Sequence, residues 1–315
     1  MKKVVILLSL LTPAAVLAQQ GSADATPSGT VPTTVNFPTE RVQTPTSADL
    51  YCSGFVSKPI TSKDKYVTGG PESPHLTRFA IGEAIYLNGK GYEAGQEYTV
   101  VRELKDPNRY ELFNGQWAAL KAAGQPYDEV ARVKVIDTRN KMAIAQIESG
   151  CDAVLPGDFV VPFAEKTTIT FHSPMRFDRF APSNGQVSGR IILAKDFDSE
   201  LGTGGKVYLN IGANQGLKVG DFLRAERYPM TVVHDAVDSL SYKSSANEPT
   251  QTKQADIDPK FLTRTGGPAV HTADLPRRGV AELVILGTTP STATAMIVLS
   301  MEPVHVGDAV ELDQQ

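Results

Sequence analysis

Asp158 and Asp308 are the first residues whose type and setting could do chemistry. Each follows a glycine, Gly157 and Gly307, and each opens a short apolar run. Two carboxylates can share general acid and base roles in a hydrolase. A third Gly-Asp step, Gly220-Asp221, repeats the pattern. Recurrence at matched places points instead to tight turns, because glycine permits positive φ and aspartate accepts nearby backbone N–H bonds. His75, His172, His234, His271 and His305 are scattered without the spacing of a zinc site. Asp196, Asp198 and Glu200 alternate like calcium ligands, but Leu201 stands where a calcium loop needs glycine and Val207 where it needs its closing Glu. Gly202-Thr203-Gly204-Gly205-Lys206 lacks the earlier glycine and the following Ser or Thr of a phosphate loop, so it reads as a turn before a strand. No catalytic residue, metal or cofactor is assigned. A secreted hydrolase of unrecognised type, with Asp158 or Asp308 as acid or base, stays as a second alternative.

The elements that position these residues come from a repeat. Residues 130–160 and 280–310 align without a gap, 150 residues apart, with ten of 31 positions identical. Chance would give about two. Ala131, Val133 and Val135 alternate with Arg132 and Lys134, and Ala143, Ala145 and Ile147 repeat the alternation, as do Ala293, Ala295 and Ile297. That period marks antiparallel strands with one buried face, and small alanines at matched sites suit a narrow barrel. Upstream, Ala84-Ile85-Tyr86-Leu87-Asn88 matches Lys206-Val207-Tyr208-Leu209-Asn210, and Gly95 to Arg102 matches Gly220 to Arg227. Ser53-Gly54-Phe55-Val56 and Ser188-Gly189-Arg190-Ile191 are read as the matching first strands. The predicted fold class is all-β: two tandem small antiparallel β-barrels, 50–163 and 185–313, joined by a linker over 164–184. One short helix is predicted, QWAALKAA, stopped by Gly124 and Pro126.

Both modules carry an insertion between the second strand of the Gly-to-Arg unit and the repeated segment. The first, about 103–128, holds Tyr110, Phe113 and Trp117 as candidate interaction residues. Trp117 could form a glycan-binding platform, or its helix could lay an aromatic side on the barrel. The second insertion, 228–277, is polar and rich in Ser, Thr, Pro and Lys. Variable loops on a rigid scaffold are where contacts are expected.

Lys2 and Lys3, the apolar run from Val4 to Leu11 and Val16-Leu17-Ala18 read as a signal peptide over 1–18, too short to span a bilayer. Its removal takes the formal charge from −4 to −6, which argues against nucleic acid and anionic membranes as partners. No later run resembles a transmembrane segment. Residues 19–49 read as a disordered tether, since 14 of the 30 from Gln19 to Ala48 are Thr, Ser or Pro. Export makes a disulfide between Cys52 and Cys151 the expected pairing, with two buried thiols as the alternative. Its reduction is expected to act on the first module alone.

Val207-Tyr208-Leu209-Asn210, Gly216-Leu217-Lys218-Val219-Gly220-Asp221-Phe222-Leu223, Gly279-Val280-Ala281-Glu282-Leu283-Val284-Ile285-Leu286 and Val304-His305-Val306-Gly307-Asp308-Ala309-Val310 together resemble a bacterial envelope domain. It is similar to the small β-barrel at the C-terminus of flagellar assembly protein T, also found after LysM domains. The resemblance covers about residues 185–312, and more loosely the first module. It implies an assembly or interaction module. The expected function is therefore an exported, non-catalytic scaffold or protein-interaction module of the cell envelope, periplasmic or outer. A peptidoglycan or glycan binder is the alternative.

Overall fold

The structure, a computed structural model, describes residues 42–58, 64–139, 142–170, 177–228 and 276–313. The expected signal peptide and most of the expected tether lie outside these residues, as do 229–275 of the second insertion.

Alternating side chains close two six-stranded antiparallel barrels. The first is built from β2 (Tyr66–Gly69), β3 (Ala84–Asn88), β4 (Glu97–Glu103), β5 (Gln125–Arg139), β6 (Met142–Gly150) and β7 (Phe159–Pro162). The second uses β8 (Ser188–Ala194), β10 (Lys206–Leu209), β11 (Phe222–Arg227), β12 (Arg278–Thr288), β13 (Ala293–Ser300) and β15 (Ala309–Leu312), while β9 (Glu200–Leu201) and β14 (Val304–His305) pair outside the ring. Around the first ring the order is β5-β4-β7-β2-β3-β6; around the second it is β12-β11-β15-β8-β10-β13. The two rings have one topology.

The likeness extends to single residue pairs. Val133↔Ile147 and Val135↔Ala145 in β5–β6 become Leu283↔Ile297 and Ile285↔Ala295 in β12–β13, each shifted by the repeat of 150. Both register breaks recur at matched places, after Arg132 and Glu282 and after Val135 and Ile285. A bulge bends a strand and increases its twist, so repeating both reproduces the same curl of the long hairpin that closes each ring. Inside, Val133, Val135, Ala145 and Ile147 meet Ile85, Leu87 and Val100 in one core, and Leu283, Ile285, Ala295 and Ile297 meet Val207, Leu209 and Leu223 in the other.

Three expectations are corrected. Ser53-Gly54-Phe55-Val56 does not open the first barrel; β2 holds the ring position of β8. Instead β1 (Phe55–Ser57) adds to β5 outside the ring, through Phe55↔Tyr127. The tether ends early: α1 (Ser47–Tyr51) is ordered, with Thr46 and Asp49 forming a capping box, and Gln43 N–H donates to Val298 O at 2.8 Å. Finally, β5 begins at Gln125, so the first insertion is 104–124 and Asp128 belongs to a strand. Its helix α2 (Gln116–Ala123) occupies the predicted residues.

Both α1 and β1 form a strap across the second barrel. Leu50 packs with Phe222, Val284, Leu286, Met296 and Val298, and Val56 packs with Ile192, Leu193 and Tyr208. Thr294 Oγ1 donates to Gly54 O at 3.0 Å, and Lys206 pairs with Asp49 at 2.8 Å. β12 and β13 are therefore buried on both faces, whereas β5 and β6 alternate. Each apolar side chain so covered is worth about 1.5–3 kcal/mol. The Cys52–Cys151 disulfide ties this strap to the first barrel.

Candidate functional site

Each Gly-Asp turn is built by the chain entering the last strand of a ring. Gly157 and Gly307 sit at φ +96° and +110°, a region closed to most side chains. The turn buries the aspartate behind them. Asp158 then meets Arg102 at the end of β4: Nε donates to Oδ1 and Nη2 to Oδ2, both at 2.8 Å. Arg227 at the end of β11 grips Asp308 in the same way, at 3.0 and 2.8 Å. The remaining bonds match as well. Leu155 and His305 N–H each donate to the carboxylate at 2.8 Å, and the arginines donate to Ala153 O and Pro303 O at 2.7 and 2.8 Å. The bond to Asp158 raises the pKa of Arg102, more than burial lowers it. Both carboxylates thus have their oxygens taken by a planar fork and a backbone N–H, an arrangement that fixes a strand end. Asp221 caps its own turn, accepting from Lys218 N–H at 2.8 Å behind Gly220.

The second barrel adds ionic pairs where the first is apolar. Glu226, 2% exposed, holds the place of Val101, and Arg277 joins it to Glu311, the latter at 2.8 Å. Burial pushes Glu226 up to about 7 despite Arg277, with the Glu311 charge adding to the rise. For Glu311 burial works the other way from its partners, and the hydrogen bonds from Ser183 and Arg277 prevail, holding it below the usual range. Arg277, counted in the sequence as the end of the insertion, is thus part of the barrel. Tyr228, at the other end, is exposed.

The candidate interaction residues divide. Phe113 lies against both the second core and the strap cluster, with Arg190 over its ring at 5.0 Å. Leu112 enters the second core, and Gln116 Nε2 donates to Ile192 O at 3.0 Å. This insertion therefore joins the barrels, and Phe113 is half-buried where it meets the second. Tyr110 and Trp117 stay 59% and 54% exposed. The aromatic side of α2 does not face a barrel; Ala119, Leu120 and Ala123 do. Glu111 holds the start of the helix, accepting from Trp117 N–H at 3.0 Å.

His75 is exposed, and His172, His234 and His271 lie outside the described residues. His305 approaches Glu200 at 3.8 Å. Among the described residues no three His, Cys, Asp or Glu side chains are grouped to share a metal ion. None of the described helices is long and apolar enough to cross a membrane. A shallow depression of about 480 Å3 lies beside the Arg102–Asp158 pair, with Lys105, Leu155, Pro156 and Phe159 on its walls.

Sequence reasoning missed the arginine partners and the strap. The arginines were legible in principle, because Gly95 to Arg102 and Gly220 to Arg227 have equal spacing. The strap had a signal too: Lys134, Gln146 and Glu148 become Val284, Met296 and Val298, outward positions turned apolar in one copy only. No protein-family model matches the chain, and no curated protein matches it.

Proposed function

We propose that the protein is an exported, non-catalytic scaffold or protein-interaction module of the bacterial cell envelope. One observation carries this reading. Both barrels accept an insertion between the same two strands, and the first insertion already works as a docking element, with Leu112, Phe113 and Gln116 seated on the second barrel. The disulfide and the signal-like start agree with export, and the likeness to the flagellar assembly protein T barrel agrees with a role in assembly.

Removing 229–275 while keeping Tyr228 and Arg277 tests the assignment of contacts to the second insertion. The expected outcome is an intact fold and loss of specific partners from envelope extracts. An unchanged set of captured proteins would refute it.

A glycan reading is favoured by the exposure of Trp117 and Tyr110, since aromatic faces stack on sugar rings. Co-sedimentation with purified peptidoglycan, lost in the Trp117→Ala, Tyr110→Ala double variant, would support it over a protein scaffold.

A further inference from the structure

The strap crosses a seat on the outside of the second barrel, and the first barrel carries the matching seat bare. Tyr208, Leu286, Thr292 and Thr294 form the covered one, and all are buried. The hydroxyls of Tyr208, Thr292 and Thr294 donate to the carbonyls of Ser53, Val56 and Gly54, and Leu286 shares a cluster with Leu50. The repeat of 150 puts Ile136, Met142 and Ile144 at the places of Leu286, Thr292 and Thr294, and Tyr86 holds the place of Tyr208. Register agrees. Tyr86↔Ile144 and Asp137↔Ile144 answer Tyr208↔Thr294 and Gly287↔Thr294. Yet Ile136 and Met142 are 53% and 42% exposed, with Tyr86 and Ile144 half-buried beside them. Among the described residues no helix or strand packs across them as the strap packs across β12 and β13.

The bare seat differs in chemistry as well as in cover. Met142 and Ile144 have no hydroxyl to offer a passing backbone, so what they meet is held by apolar contact. The part of the track that takes Leu50 does not recur. Glu97, Lys134, Gln146 and Glu148 stand where Phe222, Val284, Met296 and Val298 surround it. Lys134 lies 3.9 Å from both Glu97 and Glu148, and Arg139 lies 2.6 Å from Asp137, so the charges on the rim answer one another and select neither sign. What recurs is the part under β1, made apolar. Four side chains fall far short of the roughly 800 Å2 per partner that a stable interface between folded proteins buries. A short linear segment fits that size; a folded domain or a second copy does not.

We infer that Tyr86, Ile136, Met142 and Ile144 form a docking seat for a short extended segment of a partner protein. The segment sets an uncharged aliphatic side chain on Tyr86 and Ile144, as the strap sets Val56 on Tyr208. This rests on the reading of the protein as an interaction module and names the kind of segment it takes. The chain already uses the arrangement on itself, with β1 as the filled counterpart.

A synthetic peptide with the sequence of residues 53–58, capped at both ends, is the probe, titrated into the full chain and followed by NMR of backbone amides and the Ile and Met methyl groups. Saturable shifts at Tyr86, Ile136, Met142 and Ile144 are expected. Replacing the peptide's Val by Asp should abolish them. The Ile136→Lys, Met142→Gln variant should weaken binding by at least about tenfold with the rest of its spectrum unchanged, since both side chains are exposed. Absence of saturable shifts at these four residues would overturn the proposal, as would shifts confined to 206–209 and 292–294, where the peptide would only be displacing the strap. So would concentration-dependent self-association of the full chain that the same variant removes, because the occupant would then be a second copy. Partner loss on deletion of 229–275 is read separately, since that variant leaves all four residues in place.

Discussion

Replacing Asp158 by Asn, and separately Asp308 by Asn, asks whether these carboxylates hold strand ends or serve a reaction. Side chains of the two aspartates are 5% and 6% exposed, so the charge lost is a buried one. Breaking a buried pair by removing one partner costs about 3–5 kcal/mol when the other charge is left alone. Here neither arginine would be stranded. Arg102 keeps Asp152 at 2.7 Å and Ala153 O, and Arg227 keeps Glu302 at 3.7 Å and Pro303 O. The asparagine oxygen can still accept from the backbone N–H of Leu155 or His305. About 2 kcal/mol is therefore expected for Asn at either site, and about 3 for Ala, which also forfeits the backbone bond. Chemical denaturation monitored by fluorescence and circular dichroism would measure both. The sites are in different barrels and share no partner, so the double variant should cost about the sum. Because the geometry matches bond for bond, the two single costs should agree within about 1 kcal/mol. Full stability in either variant, or a tenfold gap between the two equilibrium constants in excess of that margin, would refute the structural role. A specific turnover lost in one variant without a change in stability would place catalysis there.

Further outcomes test other parts of the fold. Reducing the Cys52–Cys151 disulfide, which closes a loop across a separation of 99 residues, should cost about 4–5 kcal/mol. Because Cys52 follows a helix packed on the second barrel, both barrels should respond, and a shift limited to the first would contradict the strap. Glu226 binds its proton more tightly folded, near 7, than unfolded, near 4.5. Its contribution is thus fully present below pH 4.5 and fades as pH rises through 7, so unfolding free energy should fall by up to about 3 kcal/mol between pH 5 and 8. Glu226→Gln should flatten that slope; an unaltered slope would assign it to another group. Met296→Gln with Val298→Glu, which installs the first barrel's own residues, should destabilise by about 3–5 kcal/mol by stripping the strap contact with Leu50. Trp117→Ala, at an exposed site, should change stability by less than about 0.5 kcal/mol while testing glycan binding.

Period-two alternation and self-similarity are local and repeated signals, and they were enough for much of this architecture. The gap-free match of 130–160 to 280–310 already contained the shared hairpin, because any unequal insertion within it would have broken register. Both bulges fell at matched positions as a result. Helix α2 was marked by its stop residues, and the cysteine pair by the oxidising compartment expected from the first 18 residues. What a strand pairs with at a distance has no such mark. Phe55 and Tyr66 both open short apolar runs, and only closure of the ring decides that β2 belongs to it while β1 lies outside. Likewise Arg102 and Arg227 reach their aspartates across 56 and 81 residues, a span set by insertions that obey no period. Phe113 had the look of a surface residue because it is on a polar loop. Its half-covered setting depended on a neighbouring barrel standing close by, and proximity between units is decided by packing in three dimensions, after each unit's own pattern has been satisfied.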